Sequence, residues 1–320
     1  MTAMDTDEFR KLAEDIASNG EREGVSAAYI RKMMLHQAVL SGLDAEGVLD
    51  NVVFQGGSCL SEVYGNPRLS DDLDFAADKE TVLHYAEILS SVLRRSVENI
   101  VDAEVRVKSP NPKKLADAEL PLARWTVSID LSPENPSIPM ERLKLEVAGV
   151  PVHDSEVRFL QPSDFQSVGQ GDIPVLVEST EELLADKVVS LVMSSYPRYR
   201  DAWDIVWLTQ NGADVDKALG LTISKLEDYG YNVDPEPFFL AASGIKEMIE
   251  SDGFASLVDQ LPGKIAMKTV LSARWRAATT QKLQDVLIST GEFIDGGITP
   301  GETPGQRSPR DCSAHSRPKR

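Results

Sequence analysis

The sequence predicts a fold of the α/β class, of the α+β type, with a mixed β-sheet in the first half of the chain and helices in the second. Five apolar runs of strand length occur before residue 150, at 51–55, 72–77, 103–108, 123–131 and 142–149. Strands and helices do not alternate regularly there, so a doubly wound parallel sheet is not expected. From about residue 180 the pattern changes to helix, beginning with the segment TEELLADKVVSLVMS.

Helices are predicted where apolar residues recur at helical spacing and capping residues flank them. In the segment 26–42, Ser26 can cap the first turn and Gly42 can end the last. The other predicted helices are 7–18, 58–64, 79–98, 180–194, 200–212, 214–229, 235–251 and 264–290. Residues 157–178 are predicted to be mostly loop with short extended pieces.

These patterns divide the chain into four regions. N-terminal helices at 1–50 are expected to pack on an α/β core at 51–178, and a helical domain follows at 179–290. The last region, 291–320, is rich in Gly, Pro, Ser and Arg and is predicted to be a disordered basic tail. We expect the α/β core and the helical domain to face each other across a cleft.

The composition argues against several classes of protein. The formal net charge is −18, which disfavours nonspecific binding of nucleic acid over the whole surface but permits a local basic groove. Two cysteines, Cys59 and Cys312, give neither a disulfide framework nor metal-ligand spacing. No apolar run approaches the length of a membrane span, and the acidic N-terminus is unlike a signal peptide, so a cytoplasmic protein is expected.

The segment FQGGSCLSEVYGNPRLSDDLDF, at 54–75, carries the clearest functional pattern. Gly56 and Gly57 have no side chains, which lets the backbone approach a phosphate closely. A helix beginning at Ser58 would point its backbone N–H groups at that anion. The Ser58 hydroxyl could cap this helix or bond a phosphate oxygen.

Two aspartates close this segment, in the strand-like run Asp72-Leu73-Asp74-Phe75. Residues two apart in a strand point to the same face, so both carboxylates would meet at one spot while Leu73 and Phe75 enter the core. Two carboxylates at one point suit Mg²⁺ that carries a triphosphate. The alternative is a solvated pair of aspartates at the end of an edge strand, with an unrelated glycine turn before it.

This segment resembles the signature of the DNA polymerase β-like nucleotidyltransferase superfamily and, within it, the AbiEii/AbiGii-type nucleotidyltransferase toxins. The matching residues are Gly57, Gly65, Arg68, Ser70 and 72–75. Ser58 and Cys59 stand where the family usually has threonine and alanine. The resemblance continues in two later segments, 182–187 (ELLADK) and 199–204 (YRDAWD).

The resemblance implies a nucleotidyltransferase core in a toxin of a two-gene toxin–antitoxin or phage-defence system. Such an enzyme transfers a nucleotide from an NTP to a hydroxyl. The resemblance favours the tRNA 3′ end as the acceptor, Mg²⁺ or Mn²⁺ as the cofactor, and a cognate antitoxin encoded nearby as a partner. Two alternatives stay open: transfer to a protein hydroxyl or a small molecule, and a non-catalytic nucleotide-binding module.

The metal ligands predicted for this reaction are Asp72, Asp74 and a third carboxylate from a neighbouring strand. Glu146 and Asp130 both alternate with apolar residues in predicted strands. Glu146 is preferred, because its run contains fewer loop signals and resembles the Lys-x-acid strand of the family. Asp130 is the alternative.

Two residues of the helical half are predicted to be catalytic with the aspartates. Lys187 matches the lysine of the family's helix and would place a cation over the β- and γ-phosphates; the alternative is a surface lysine at a helix edge. Asp204 lies between Trp203 and Ile205, and a buried carboxylate needs a partner, for which Lys187 is expected.

The remaining nucleotide-binding candidates are Gly57, Ser58 and Arg200. Arg200 can instead form a simple intrahelical pair with Asp201. Arg68 can bind a phosphate or lock its own turn by pairing with Asp71.

Overall fold

In the part of the chain that the structure describes, a seven-stranded mixed β-sheet forms the centre of the first half. The computed structural model describes residues 3–18, 25–135, 137–161 and 173–296. The strands are β1 (Val53–Gln55), β2 (Asp72–Ala76), β3 (Glu104–Lys108), β4 (Leu122–Asp130), β5 (Glu141–Ala148), β6 (Ser155–Phe159) and β7 (Pro174–Glu178). Their order is β3-β4-β5-β2-β1-β7-β6. The predicted α+β fold is confirmed.

The strands that carry the glycine and aspartate motif lie at the centre of this sheet. β2 pairs antiparallel with β1 and parallel with β5, and β1 pairs parallel with β7. Leu73 and Phe75 of β2 are buried, and Phe75 stacks on Phe54 of β1 with ring centroids 5.0 Å apart. The apolar side of β2 therefore anchors the motif in the core, as its alternation predicts.

The helices of the first half pack around the sheet. They are α1 (Thr6–Ser18), α2 (Ala27–Ala45), α3 (Gly56–Glu62), α4 (Lys79–Glu98) and α5 (Pro112–Ala116). Ser26 caps α2 by accepting a hydrogen bond from the Tyr29 N–H, as predicted. α3 begins at Gly56, two residues before the predicted start at Ser58. Gly56 has a φ of 77°, which lets the chain turn directly from β1 into the helix.

The second half is helical, as predicted. Its helices are α6 (Thr180–Met193), α7 (Tyr199–Gln210), α8 (Val215–Asp228), α9 (Glu236–Glu250), α10 (Asp252–Ala255), α11 (Gly263–Lys268) and α12 (Ala273–Asp295). The single helix predicted at 264–290 is divided into α11 and α12, because Ser272 caps α12 by accepting from the Trp275 N–H. No helix among the described residues has the length and apolar character needed to cross a membrane.

Two sequence predictions differ from the described residues. The predicted loop at 157–178 contains the end of β6 and all of β7, and Val175 and Val177 of β7 are buried. β7 is hard to recognise in sequence because it is five residues long and begins with Pro174. α12 continues to Asp295, so the predicted tail is helical at its start, and 297–320 lies outside the described residues.

A buried lysine joins the sheet to the helical half. Lys225 of α8 lies within 3.1 Å of three carboxylates: Glu178 at the end of β7, and Glu182 and Asp186 of α6. Lys225, Glu178 and Glu182 are fully buried. These four residues, the Lys225 cluster, hold α6 against the sheet, and α6 carries Lys187.

Candidate active site

Three predicted carboxylates lie on one face of the sheet. In the register of β2 and β5, Asp74 is directly opposite Glu146, and Asp72 is opposite Lys144. Paired residues of neighbouring strands share a face, and so do residues two apart in one strand. Asp72, Asp74 and Glu146 therefore project from the same side of β2 and β5, with the buried residues Leu73 and Phe75 on the other side.

The other candidate carboxylate, Asp130, lies away from this group. It is the last residue of β4 and pairs with Glu104 of β3. On β4 the residue opposite Glu146 is Arg124, six positions before Asp130. The Asp130 carboxylate accepts a hydrogen bond from the Ser132 N–H at 3.1 Å. The sheet thus brings Glu146, and not Asp130, next to Asp74.

Negative charge is concentrated around Asp74. Burial, followed by the charges of Glu146 and Asp72, raises the pKa of Asp74 to about 6. The two neighbours have cationic partners of their own: Glu146 pairs with Arg124, and Asp72 lies 3.5 Å from Lys144. Among the described residues, no three acidic, histidine or cysteine side chains already form a metal cluster. Three carboxylates on one face of the sheet nevertheless fit a divalent cation, which prefers such ligands.

The two motif glycines leave room for charged side chains. A Cβ atom on Gly56 would lie 2.6 Å from Oδ2 of Asp74, and one on Gly57 would lie 2.9 Å from a guanidinium nitrogen of Arg68. Sequence reasoning assigned these glycines to a phosphate. The structure adds a second reason for them, since neither Asp74 nor Arg68 could keep its place beside a larger residue.

The Ser58 side chain is tied to β2, the strand that carries Asp72 and Asp74. Ser58 is fully buried as the third residue of α3, and its hydroxyl donates a hydrogen bond to the backbone oxygen of Asp72. The helix cap expected from Ser58 is absent, because α3 starts earlier. The hydroxyl fixes the start of β2, which favours a positioning role over direct contact with a phosphate.

Lys187 and Asp204 meet, but Asp204 has a closer partner than the one expected. Lys187 Nζ lies 3.2 Å from Oδ1 of Asp201 and 3.4 Å from Oδ2 of Asp204. Arg68 donates to both oxygens of Asp204, from Nε at 2.9 Å and Nη2 at 2.6 Å, and both side chains are buried. Asn66 Nδ2 donates to the same carboxylate at 3.0 Å.

This network sets the charge of Lys187. Burial lowers the pKa of Lys187, but the carboxylates of Asp201 and Asp204 outweigh it, and the net shift is upward. Lys187 is therefore held as a cation on α6. The alternative interpretation from the sequence, a lysine at the protein surface, does not fit, because only 13% of the Lys187 side chain is exposed.

The partners of Arg68 and Arg200 differ from those that sequence spacing suggests. Arg68 pairs with Asp204 rather than with Asp71. Asp71 instead binds Arg200 and Lys32, each at 2.7 Å. Arg200 is therefore not paired within its own helix, since its neighbour Asp201 binds Arg198 and Lys187.

Two cavities share Asp74, Lys187 and Arg198. The first, of about 410 Å³, is mainly polar, and we call it the polar cavity. Its own lining includes Gly57, Ser70, Asp72, Arg200, Ser256 and Gln260. The second, of about 440 Å³, we call the aromatic cavity. Its own lining includes Phe75, Leu122, Glu146, Met193, Tyr229 and Tyr231.

Sequence reasoning missed several of these lining residues. Arg198 precedes Asp201 by three positions in a helix start, which is a visible signal for a pair at that helix. Gln260 and Tyr231 give no such signal, because they reach the cavities only through the packing of distant helices.

Comparisons with known proteins agree with this fold. The structure is similar to that of MenT4, a nucleotidyltransferase toxin from Mycobacterium tuberculosis, with a TM-score of 0.58 and 20% identity over 89% of this chain and 92% of that one. A structure of JHP933 from Helicobacter pylori matches with a TM-score of 0.41 and 17% identity over 85% of this chain and 96% of that one. Among curated proteins, none matches in sequence.

The family of the chain follows from a sequence model that covers most of its length. The model of the nucleotidyl transferase AbiEii toxin of type IV toxin–antitoxin systems matches residues 38–287. That range contains all seven strands of the described sheet and both groups of candidate site residues. The chain belongs to the AbiEii family of nucleotidyltransferase toxins, and is a nucleotidyltransferase of a type IV toxin–antitoxin system.

Proposed function

We propose that this toxin transfers a nucleoside monophosphate from an NTP to the 3′-hydroxyl of an RNA, with tRNA as the acceptor, and so blocks translation. The observation that supports this most strongly is the convergence of Asp72, Asp74 and Glu146 from the sheet with Lys187 from α6. Carboxylates and a fixed cation at one place are the groups that phosphoryl-type transfer requires, because this chemistry depends on positioning and on charge neutralisation.

The metal in this proposal is Mg²⁺ or Mn²⁺, with Asp72, Asp74 and Glu146 as the residues that would hold it. When bound, it would neutralise the triphosphate and polarise the reacting phosphorus. Burial is the main cause of the raised pKa of Asp74, but the charges of Glu146 and Asp72 also contribute, and a cation would offset that contribution.

The triphosphate is proposed to occupy the polar cavity. Gly57 offers a close backbone approach, and Lys187, Arg198 and Arg200 supply positive charge along its walls. Lys187 does so as a permanent cation, because Asp201 and Asp204 raise its pKa. Asp204 acts through Lys187, which its carboxylate contacts, and Arg68 acts by holding that carboxylate in place.

The bonds exchanged in this reaction balance without a further reactant. The acceptor hydroxyl forms a bond to the α-phosphorus, and the bond from that phosphorus to the bridging oxygen breaks as pyrophosphate leaves with its electron pair. The proton of the hydroxyl passes to the Glu146 carboxylate, which lines the aromatic cavity. NTP and tRNA are both cytoplasmic, so the proposed reaction takes place there, and the cognate antitoxin is its expected regulator.

The proposal is tested by incubating the protein with each labelled NTP, Mg²⁺ and total tRNA. We expect the label to enter RNA with at least one NTP, and the Asp74→Ala variant and EDTA to abolish it. Asp102→Ala is the control, because Asp102 is an exposed carboxylate just before β3. Wild-type protein that labels no RNA with any NTP would contradict the proposal.

Transfer to a protein hydroxyl is the second candidate, and the net charge of −18 favours it, since a polyanionic tRNA is repelled by such a surface. Label that resists RNase and migrates with protein would identify this reaction instead. The same incubation therefore separates the two acceptors.

A further inference from the structure

The geometry of nucleotide transfer suggests that the two cavities bind different substrates. In phosphoryl-type transfer the attacking and leaving oxygens lie roughly in line, on opposite sides of the phosphorus. If the triphosphate lies in the polar cavity, the leaving pyrophosphate lies there too. The attacking hydroxyl must then arrive from elsewhere, and the aromatic cavity is the described space that shares Asp74, Lys187 and Arg198 with the polar one.

The walls of the aromatic cavity differ in chemistry from those of the polar cavity. Leu122, Met193 and Tyr231 contribute apolar or aromatic surface, and Leu122 and Tyr231 are each 44% exposed. A cavity of about 440 Å³ lies in the range of small-ligand sites. Flat nucleobases stack on aromatic side chains of this kind. Such walls suit a nucleoside, whereas Lys187 and Arg198, the cations of this cavity, are shared with the polar cavity.

The carboxylates are divided between the two cavities in the same sense. Asp72 lines only the polar cavity, Glu146 lines only the aromatic cavity, and Asp74 lines both. The carboxylates therefore span both cavities, with Asp74 where the two meet.

An exposed aromatic residue lies next to this cavity. Tyr196, in the connection between α6 and α7, is 77% exposed, and its neighbours Ser194 and Arg198 line the aromatic cavity. Unpaired RNA bases stack on exposed aromatic rings and on arginine. Tyr196 is placed to contact a nucleotide that precedes the one in the cavity.

We propose that the aromatic cavity binds the terminal nucleoside of a single-stranded RNA 3′ end, with its base against Tyr231 and Met193. This proposal rests on the proposed function, since it takes the polar cavity as the triphosphate site. It adds a specificity-determining surface to the reaction, formed by residues of α6, β4 and the segment that follows α8.

The test compares Tyr231→Ala with Tyr231→Phe and Val233→Ala. Val233 is the control, because it is 41% exposed two residues away and does not line the cavity. We expect Tyr231→Ala to weaken binding of a fluorescent single-stranded RNA with a free 3′-hydroxyl at least about fivefold, and to raise the KM for that RNA as much. The KM for NTP should change less than about twofold, and Tyr231→Phe and Val233→Ala should behave as wild type.

Three results would overturn the inference. If Tyr231→Ala weakens NTP binding and leaves RNA binding unchanged, the cavity binds the base of the NTP. Equal RNA affinity in Tyr231→Ala and Val233→Ala would remove the cavity from RNA recognition. Wild-type protein that binds a serine- or tyrosine-containing acceptor peptide, and not RNA, would assign the cavity to protein.

RNA binding is measured without NTP, so this inference and the proposed function can fail separately. If the protein binds RNA through Tyr231 but transfers no nucleotide to it, the proposed function is refuted and the inferred RNA-binding site is supported. Thermal unfolding of each variant serves as the folding control, and the exposure of Tyr231 predicts little change.

Discussion

At the scale of single residues, Gly56 links the backbone of the motif to its chemistry. Its φ of 77° is a conformation that costs other residues about 1–2 kcal/mol, and a Cβ atom there would meet Asp74 at 2.6 Å. Two separate constraints therefore act on one position. Gly65 has a similar φ of 81° but open space around it, so it carries only the first constraint.

The pair of glycines gives a matched prediction. Gly65→Ala should lower the free energy of unfolding by about 1–2 kcal/mol, and Gly56→Ala by at least as much. Only Gly56→Ala should also lower nucleotide transfer, by at least about tenfold, because it displaces the Asp74 carboxylate. Chemical denaturation and the labelling assay measure the two effects. If both variants transfer nucleotides at the same rate, the close approach of Gly56 to Asp74 does not affect function.

The bidentate pair of Arg68 and Asp204 is the second feature at this scale. The two residues are 136 positions apart, and the sequence shows only that a buried carboxylate at Asp204 needs a partner. Lys187 is the partner that spacing favours, and the structure supplies it together with Arg68 and Asn66. Such partners cannot be read from a single sequence, because tertiary packing selects among several cations.

The pair predicts that stability and transfer can be separated. Asp204→Asn should lower the free energy of unfolding by about 3–5 kcal/mol, because it leaves the Arg68 charge buried without a counterion. The double variant Arg68→Met/Asp204→Leu should regain most of that stability, yet stay poor in transfer, since Lys187 still lacks Asp204. If the double variant transfers nucleotides at the wild-type rate, the pair has only a structural role.

At the scale of elements, α6 connects the Lys225 cluster to the site. Glu182 and Asp186 bind Lys225, and Lys187 follows directly on the same helix. Burial, and then the charge of Asp186, raises the pKa of Glu178. The folded protein thus binds a proton at Glu178 where the unfolded chain has lost it, so this group contributes stability at low pH that is lost as the pH rises through the folded pKa.

Lys225→Met should therefore destabilise the fold in a pH-dependent way. Loss of the cation leaves buried carboxylates unpaired, at a cost of about 3–5 kcal/mol, and raises the pKa of Glu178 further. The deficit should grow as the pH rises through the folded pKa of Glu178. Lys217→Met is the control on the same helix, because Lys217 is half exposed and its pair with Asp154 should contribute less than about 1 kcal/mol. Equal Tm values for both variants at every pH would refute this role for the cluster.

Most strands and long helices can be predicted from the sequence, but the pairing of the strands cannot. Strands β1 to β5 and the long helices follow from apolar periodicity and from caps such as Ser26. The register of β2 with β5 does not, because it is fixed by packing between paired residues 72 positions apart. That register places Glu146, and not Asp130, opposite Asp74, whereas sequence patterns favour Glu146 only slightly. β7 was missed because its alternation is short and begins at a proline.

At the scale of the whole molecule, the candidate site lies where the sheet and the helical half meet. β2 and β5 supply carboxylates, and α6 and α7 supply Lys187, Asp204, Arg198 and Arg200. Both cavities are lined from both halves, as the sequence-based expectation of a cleft requires. In a chain of net charge −18, the cations around this cleft are the groups that could receive a polyanionic substrate.

The most direct test of this account compares two carboxylates of the same sheet. Glu146→Gln and Asp130→Asn each replace an acid by its isosteric amide, one beside Asp74 and one at the far end of β4. The account predicts that transfer of labelled NTP to RNA falls at least about 100-fold in Glu146→Gln and stays within about twofold of wild type in Asp130→Asn. Wild-type transfer by Glu146→Gln, or an equal loss in Asp130→Asn, would contradict it.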